Sequence, residues 1–508
     1  MAWTTEQQRA IDARGNLIVS AAAGAGKTAV LTERVARLVE QGASMDRMLI
    51  LTFTRAAAGE MKGRIEDRLL LLAREAAGEV QKRLRRQALL CRSAQISTIH
   101  AFCARVVNRH FHMAELSPGV TTLDETESAV LMEQAAAEAL LLFAREKEEA
   151  YQTLLQAFDR EEKVLEGLLK LHGFLCAQPD RERWLAQTRE SLFSGEALQK
   201  AGELCMQEGK RRLHLAAKDL QEYLPLIDCQ YGKVIAYMQG VLESTERALA
   251  AADFYAYTDA LEQIPFGVLR FPKTIEAEEK NRIVELRDRL KKCVNDQILL
   301  FFRDREQEQA VQNQSAKGLQ ALFDLWEAFD RAYTQKKKDR DRIDFNDQEH
   351  YCARILSDER VAREYRERFD YIIVDEYQDS NRVQEAILQR ICREDNLFFV
   401  GDVKQSIYGF RMAEPGLFLE KLSSFTGAAG QRVDLNCNFR SSQAVLDAVN
   451  SVFEKLMGPG MGDILYDETA ALKPGRSQPE GLAELHLIEG EDDPQGEPLD
   501  SPEAEARF

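Results

Sequence analysis

No segment of the 508-residue sequence approaches the 18 consecutive apolar residues of a membrane-spanning helix, so no such span is expected. The N-terminal stretch "MAWTTEQQRAID" has no charged-then-apolar pattern, so no secretory signal is expected there. Cysteine is present nine times but never as C-x-x-C. That excludes the usual ligand spacing of a zinc or iron–sulfur site and suits reduced thiols in a cytoplasmic protein. Positive charge is also lacking overall, with a net charge of −17. Taken alone, this argues against a nucleic-acid binder.

What is present qualifies the last exclusion. From Arg47 to Arg109 there are 13 Lys/Arg against 5 Asp/Glu, whereas the last twenty residues hold eight acids and one base. A local basic run can bind phosphates on an acidic chain, because salt screens distant charge. A solvated helical face is the alternative reading. The composition, 45% hydrophobic and 30% charged, is that of a globular protein, and the length implies two to four domains.

Strand and helix signals alternate through the first hundred residues. "NLIVSAA", "RMLILTFT" and "AQISTIH" are short apolar runs, and "KTAVLTERVARLVEQG" and "RAAAGEMKGRIEDRLLLLARE" read as helices between them. Buried strands separated by helices predict a parallel sheet covered on both faces. From residue 116 to 342 the pattern is helical. "DETESAVLMEQAAAEALLLFAREKEEAYQTLLQAF" reads as one long helix from an acidic cap, and Ile283, Leu286, Leu290 and Cys293 form a core stripe at helical spacing. Strands resume at "FDYIIVDEYQDSN", "NLFFVGD" and "RVDLNCNFRSS". The sheet is thus split by a helical insertion, and the acidic, proline-containing tail is expected to be disordered.

"VSAAAGAGKT" lies between the first strand and the first long helix. A phosphate loop needs small residues where backbone N–H groups wrap the phosphates. It needs glycine where the chain turns tightest, a lysine for the β/γ-phosphates and a hydroxyl for Mg²⁺. Ala22, Ala23 and Ala25, Gly24 and Gly26, Lys27 and Thr28 supply these. Ala21 replaces the first glycine of the usual pattern, at little cost if its φ is negative. "YIIVDEYQDSN" is an apolar strand ending in Asp375 and Glu376. An acid at that strand end sits beside the phosphate loop, so Asp375 is a candidate Mg²⁺ ligand and Glu376 a candidate to polarise the attacking water.

The order of these blocks resembles superfamily 1 DNA helicases of the UvrD/Rep type. "WTTEQQRAI", "AAAGAGKT", "LTFTRAAAGEM", "ISTIHAFC", "VDEYQDSN", "VGDVKQSIYGFR" and "LNCNFRSS" follow the family's order of motifs. "GDVKQSIYGFRMAEPGLF", "DFNDQEHYCARIL", "AQPDRERWL" and "MGDILYDETAALKPG" are similar to the AddA members of bacterial AddAB helicase–nucleases. The resemblance implies an ATP- and Mg²⁺-dependent 3′→5′ motor in double-strand-break repair, acting on single- and double-stranded DNA ends with an AddB-like partner. It implies that Gln7 reads adenine and Phe439 packs on it. Gln405 would couple the γ-phosphate to DNA, and Arg440 would act as an arginine finger. Phe53, Tyr408 and Phe410 would face single-stranded DNA, with Thr54, Arg55, Thr98, His100 and Arg411 beside them.

Two features depart from the family's pattern. Ala29 replaces a common arginine near the base, and nothing after Arg440 resembles the later motifs or the nuclease, so the chain is expected to be a fragment. The expected map is a RecA-like domain from 1–115 and 343–425, a helical insertion from 116–342, and the start of a second RecA-like domain from 426. A UvrD/RecB-like motor without an AddB partner, a non-hydrolysing scaffold and an SMC-type ATPase are the alternatives.

Overall fold

The computed structural model describes residues 3–191, 195–300, 305–427, 429–457, 464, 466–475 and 482–484. The acidic tail from 491 lies outside the described residues. Six strands form the main sheet: β1 (Leu17–Ala21), β2 (Met48–Thr52), β3 (Gln95–Thr98), β4 (Tyr371–Val374), β5 (Leu397–Gly401) and β6 (Gln431–Leu435). Their order is β3-β2-β4-β5-β1-β6, and every neighbouring pair is parallel. Alternate residues feed two separate cores. Leu17, Val19 and Ala21 enter one, and Ile18 enters the other. A sheet buried on both faces needs apolar residues at every position, which is why these strands read as unbroken apolar runs.

β6 extends this sheet beyond β1, with Val19 opposite Val433 and Ala21 opposite Leu435. The first sheet therefore continues through Leu435 instead of ending near 425, because the edge of β1 is satisfied by this strand. After it, the helix Gln443–Leu456 is held by Asn450. The Asn450 Oδ1 accepts from Tyr466 Oη at 2.7 Å and from the Leu472 N–H at 2.9 Å.

The insertion leaves and re-enters the sheet domain through two paired two-residue strands, with Thr121 opposite Arg342 and Thr122 opposite Ile343. It holds two apolar cores. Phe143, Trp326, Phe329 and Tyr333 belong to one, and Met238, Tyr257, Ile283, Leu286 and Leu290 to the other. The stripe expected from spacing thus packs inward, with Cys293 half-buried at its margin. The long helix expected from Asp124 does start there, in a capping box with Glu127. It breaks at Lys147, however, into Glu125–Glu146 and Glu148–Phe158. No Pro or Gly marks the break; the exposed Lys147 side chain pairs with Asp324 at 3.0 Å. At the root of the insertion, buried Lys337 pairs with Asp344 at 2.8 Å and Asp347 at 2.6 Å.

Candidate nucleotide and single-strand sites

All six strands point their C-terminal ends to one edge, and every candidate residue except Gln7 follows one of those ends or closes it. Ligands bind at this edge in open α/β sheets. Gly24 and Gly26 adopt φ of +69° and +82°. At Gly24 a Cβ would also lie 2.7 Å from the Asn438 side chain, so glycine is required there twice over. Ala21 is the last residue of β1, fully buried and paired with Leu435. Its side chain belongs to the core, which explains why alanine is tolerated. Ala22, Ala23 and Ala25 follow it in the loop, and the helix Lys27–Glu40 starts directly behind.

Lys27 Nζ donates to both carboxylate oxygens of Glu376, at 2.9 and 3.1 Å. Glu376 has a left-handed backbone, φ 52°, which is uncommon outside glycine and found at functional turns. Burial, then the charge of Glu376, pushes the Asp375 carboxyl up to about 6. Burial and Glu376 push Asp379 up to about 6 as well. Among the described residues, Asp379 Oδ1 is buried with no hydrogen-bond partner. Crowded carboxylates with an orphaned oxygen suit a divalent cation, and Thr28 stands in the first helical turn nearby. Among the described residues no three His, Cys, Asp or Glu side chains form a metal cage. The donors present therefore fit Mg²⁺, an ion that keeps several waters and takes phosphate oxygens, better than a metal enclosed by protein.

Gln7 closes the other end of the loop. Its Nε2 donates to the Ala25 carbonyl at 3.1 Å, and its position is set by a capping box with Thr4. Gln7, Ala25, Cys437 and Phe439 line a small pocket beside the loop. The Phe439 ring lies against Gly475, where a Cβ would meet it at 2.6 Å. Arg440 is exposed, and its N–H donates to Asn438 Oδ1 at 2.7 Å. Asn438 is not among the residues that motif and spacing single out, yet its Nδ2 donates to the Ala23 carbonyl at 2.8 Å and ties the loop to the chain beyond β6. The signal for it in the sequence is no more than an asparagine just before Phe439-Arg440. Gln405 donates to Asp402 Oδ2 at 2.8 Å.

Phe53, Tyr408 and Phe410 form a ladder. The Phe53 and Tyr408 ring centroids are 4.5 Å apart, and those of Tyr408 and Phe410 5.7 Å apart. Phe410 is 74% exposed, an unusual position for an aromatic with no ligand. The Arg411 guanidinium lies about 6 Å from both the Tyr408 and Phe410 rings. Thr54 caps the following helix through the Ala57 N–H, and Arg55 is exposed in its first turn. Two other candidates are committed elsewhere. Thr98 is buried and caps the Ala101 N–H, and His100 Nε2 sits 3.2 Å from buried Glu349 with its ring edge-on to Phe345. The basic run is also partly spent. Six of its members pair with acids: Arg47 with Asp370, Arg64 with Glu60, Arg68 with Glu33, Lys82 with Glu79, Arg92 with Glu66 and Arg109 with Glu364.

The profile of the UvrD/REP helicase N-terminal domain matches residues 3–426. The chain belongs to the UvrD/REP helicase family. It is similar to proteins that are each named as the A subunit of an ATP-dependent helicase/nuclease. In Alkaliphilus oremlandii the identity is 41%, over 96% of this chain and 42% of that protein. In Syntrophomonas wolfei it is 40%, over 93% and 39%, and in Staphylococcus carnosus 35%, over 92% and 40%. The chain thus spans about two fifths of the length of these relatives. Among the described residues no helix is long and apolar enough to cross a membrane.

Proposed function

We propose that the chain is the ATP-driven motor portion of an AddA-like helicase–nuclease, moving along single-stranded DNA in the cytoplasm during double-strand-break repair, beside an AddB-like partner. The observation that carries this reading is the shared edge. A lysine–glutamate pair at a phosphate loop and an exposed aromatic ladder occupy the C-terminal ends of one sheet.

Lys27 would leave Glu376 for the β- and γ-phosphates, and Gln7 and Phe439 would hold the base. Thr28 and Asp375 would hold Mg²⁺, which supplies charge neutralisation across the phosphates. Glu376, freed of its cation, then orients the attacking water and accepts its proton. Arg440 stands on the opposite lip to stabilise developing charge. Phe53, Tyr408 and Phe410 exchange ring-on-ring contacts for ring-on-base contacts, which any sequence can supply.

The test is binding of ATP·Mg²⁺ and of a fluorescent oligo-dT to the purified chain, beside Lys27→Ala. Both ligands are expected to bind, and Lys27→Ala is expected to lose only the nucleotide. Failure of the wild type to bind nucleotide would overturn the reading.

A further inference from the structure

The phosphate loop and the aromatic ladder depend on different strand ends, and one buried side chain bonds toward both. Gln378 is 1% exposed. Its Nε2 donates to Glu376 Oε2 at 2.9 Å and to Asp379 Oδ2 at 3.2 Å. Its Oε1 accepts the backbone N–H of Asp402 at 3.0 Å. Its own carbonyl accepts from Ser406 Oγ at 3.4 Å. The space is tailored to this amide: at Gly401 a Cβ would lie 2.4 Å from Gln378 Oε1. Asp402, also buried, accepts from Gln405 Nε2 at 2.8 Å and from Lys404 Nζ at 2.9 Å. The chain then runs directly into Tyr408, Phe410 and Arg411.

We propose that Gln378 is a positioning residue that couples occupancy of the nucleotide site to the placement of the 402–411 segment and its aromatic ladder. The proposal rests on the motor reading above. Without nucleotide, Glu376 receives bonds from Lys27 and Gln378. A triphosphate competes for Lys27, so Glu376 comes to rely on the Gln378 amide. That amide is planar, and both of its ends are engaged. It cannot swing toward Glu376 without carrying away the acceptor of the Asp402 N–H. A buried N–H is costly to leave unpaired, so the 402–411 segment follows. By reciprocity, a strand that shifts this segment changes nucleotide affinity by the same factor.

The experiment measures oligo-dT affinity of the purified chain by anisotropy, with and without Mg²⁺ and the β,γ-imido analogue of ATP, together with the reciprocal nucleotide titration. In the wild type the two ratios should agree and lie within about 5- to 150-fold, the usual range of coupling between sites. Gln378→Met keeps the volume and removes every side-chain bond. Gln378→Asn keeps the amide but is one methylene too short to span both partners. Each should bring both ratios close to one with the separate affinities held much nearer to wild type, while the unpaired Asp402 N–H lowers the melting temperature of Gln378→Met. A merely structural role would lower the melting temperature and leave the ratios alone. Wild-type ratios in either folded variant would overturn the proposal, as would a wild-type ratio of one when both ligands bind. Failure of both variants to fold would make Gln378 structural and also overturn it. Failure of the wild type to bind nucleotide would instead sink the motor reading on which it stands.

Discussion

The nucleotide cleft and the aromatic ladder share one end of one sheet but are made of opposite materials. In the cleft the working groups are charged or amide, partly or fully buried, and bonded to one another: Lys27 to Glu376, Gln378 to Asp379, Gln405 to Asp402. In the ladder they are aromatic, more exposed at Phe410, and packed ring against tilted ring. The difference teaches how each site meets its ligand. The cleft pairs most of its charges internally, with Asp379 Oδ1 left unpartnered among the described residues, and must exchange partners when phosphate arrives, so its chemistry is switched. The ladder only trades one flat apolar face for another, so its contacts are renewable along a strand.

The largest expected effect falls in the cleft. Glu376→Gln should lower ATP turnover by about 100-fold or more, the scale for losing a positioned base, with nucleotide binding retained. DNA-stimulated turnover at the wild-type rate would remove Glu376 from its role and leave the comparison without its catalytic half.

Next comes the cost of crowding acids. Raising a carboxyl from 3.8 to about 6 costs the folded state up to about 3 kcal/mol at neutral pH. The sign follows from the unfolded chain, which ionises first. Below about pH 4 both states are protonated and nothing is lost; stability falls as pH rises from 4 to 6 and stays down above it. Asp375→Asn should therefore stabilise the nucleotide-free protein at pH 7, and the gain should vanish below about pH 4. Denaturant titrations across that range check it. A destabilising Asp375→Asn would show that the cleft is not strained in the way the comparison requires.

The ladder should respond in the opposite sense. Phe410→Ala should leave the melting temperature nearly unchanged and weaken oligo-dT binding by about 5- to 150-fold, matching roughly 1–3 kcal/mol of stacking per base. Phe53→Ala, half-buried against Tyr408, should lose some of both. A drop of about 3–5 kcal/mol in stability for Phe410→Ala would make it a core residue.

The smallest effect separates His100 from the ladder. Its side chain is half-exposed and already faces Glu349. His100→Asn should change strand affinity by less than about twofold, the scale of a surface contact of under 0.5 kcal/mol. A tenfold loss would return His100 to the DNA face.

Much of the fold was legible because burial on both faces leaves its mark in every residue of a parallel strand, as in "LILT" and "YIIV". The phosphate loop was legible for a different reason: backbone curvature demands glycine at 24 and 26 whatever surrounds them. The break at Lys147 was not legible, since no Pro or Gly marks it in the sequence. Nor was the pairing of part of the basic run with distant acids, because counting charges along the chain ignores which acids fold against them.

The sequence by itself determined the strands, the loop, the acidic strand end and the family, all of which depend on residue type and spacing within a few turns of chain. Only the tertiary structure decided that β6 closes the first sheet beside β1, that Lys27 rests on Glu376, and that Gln378 and Asn438 lace separate strand ends together. These are contacts between residues far apart in sequence. Each depends on parallel strands bringing their ends to one edge, a geometry that exists only once the sheet has formed.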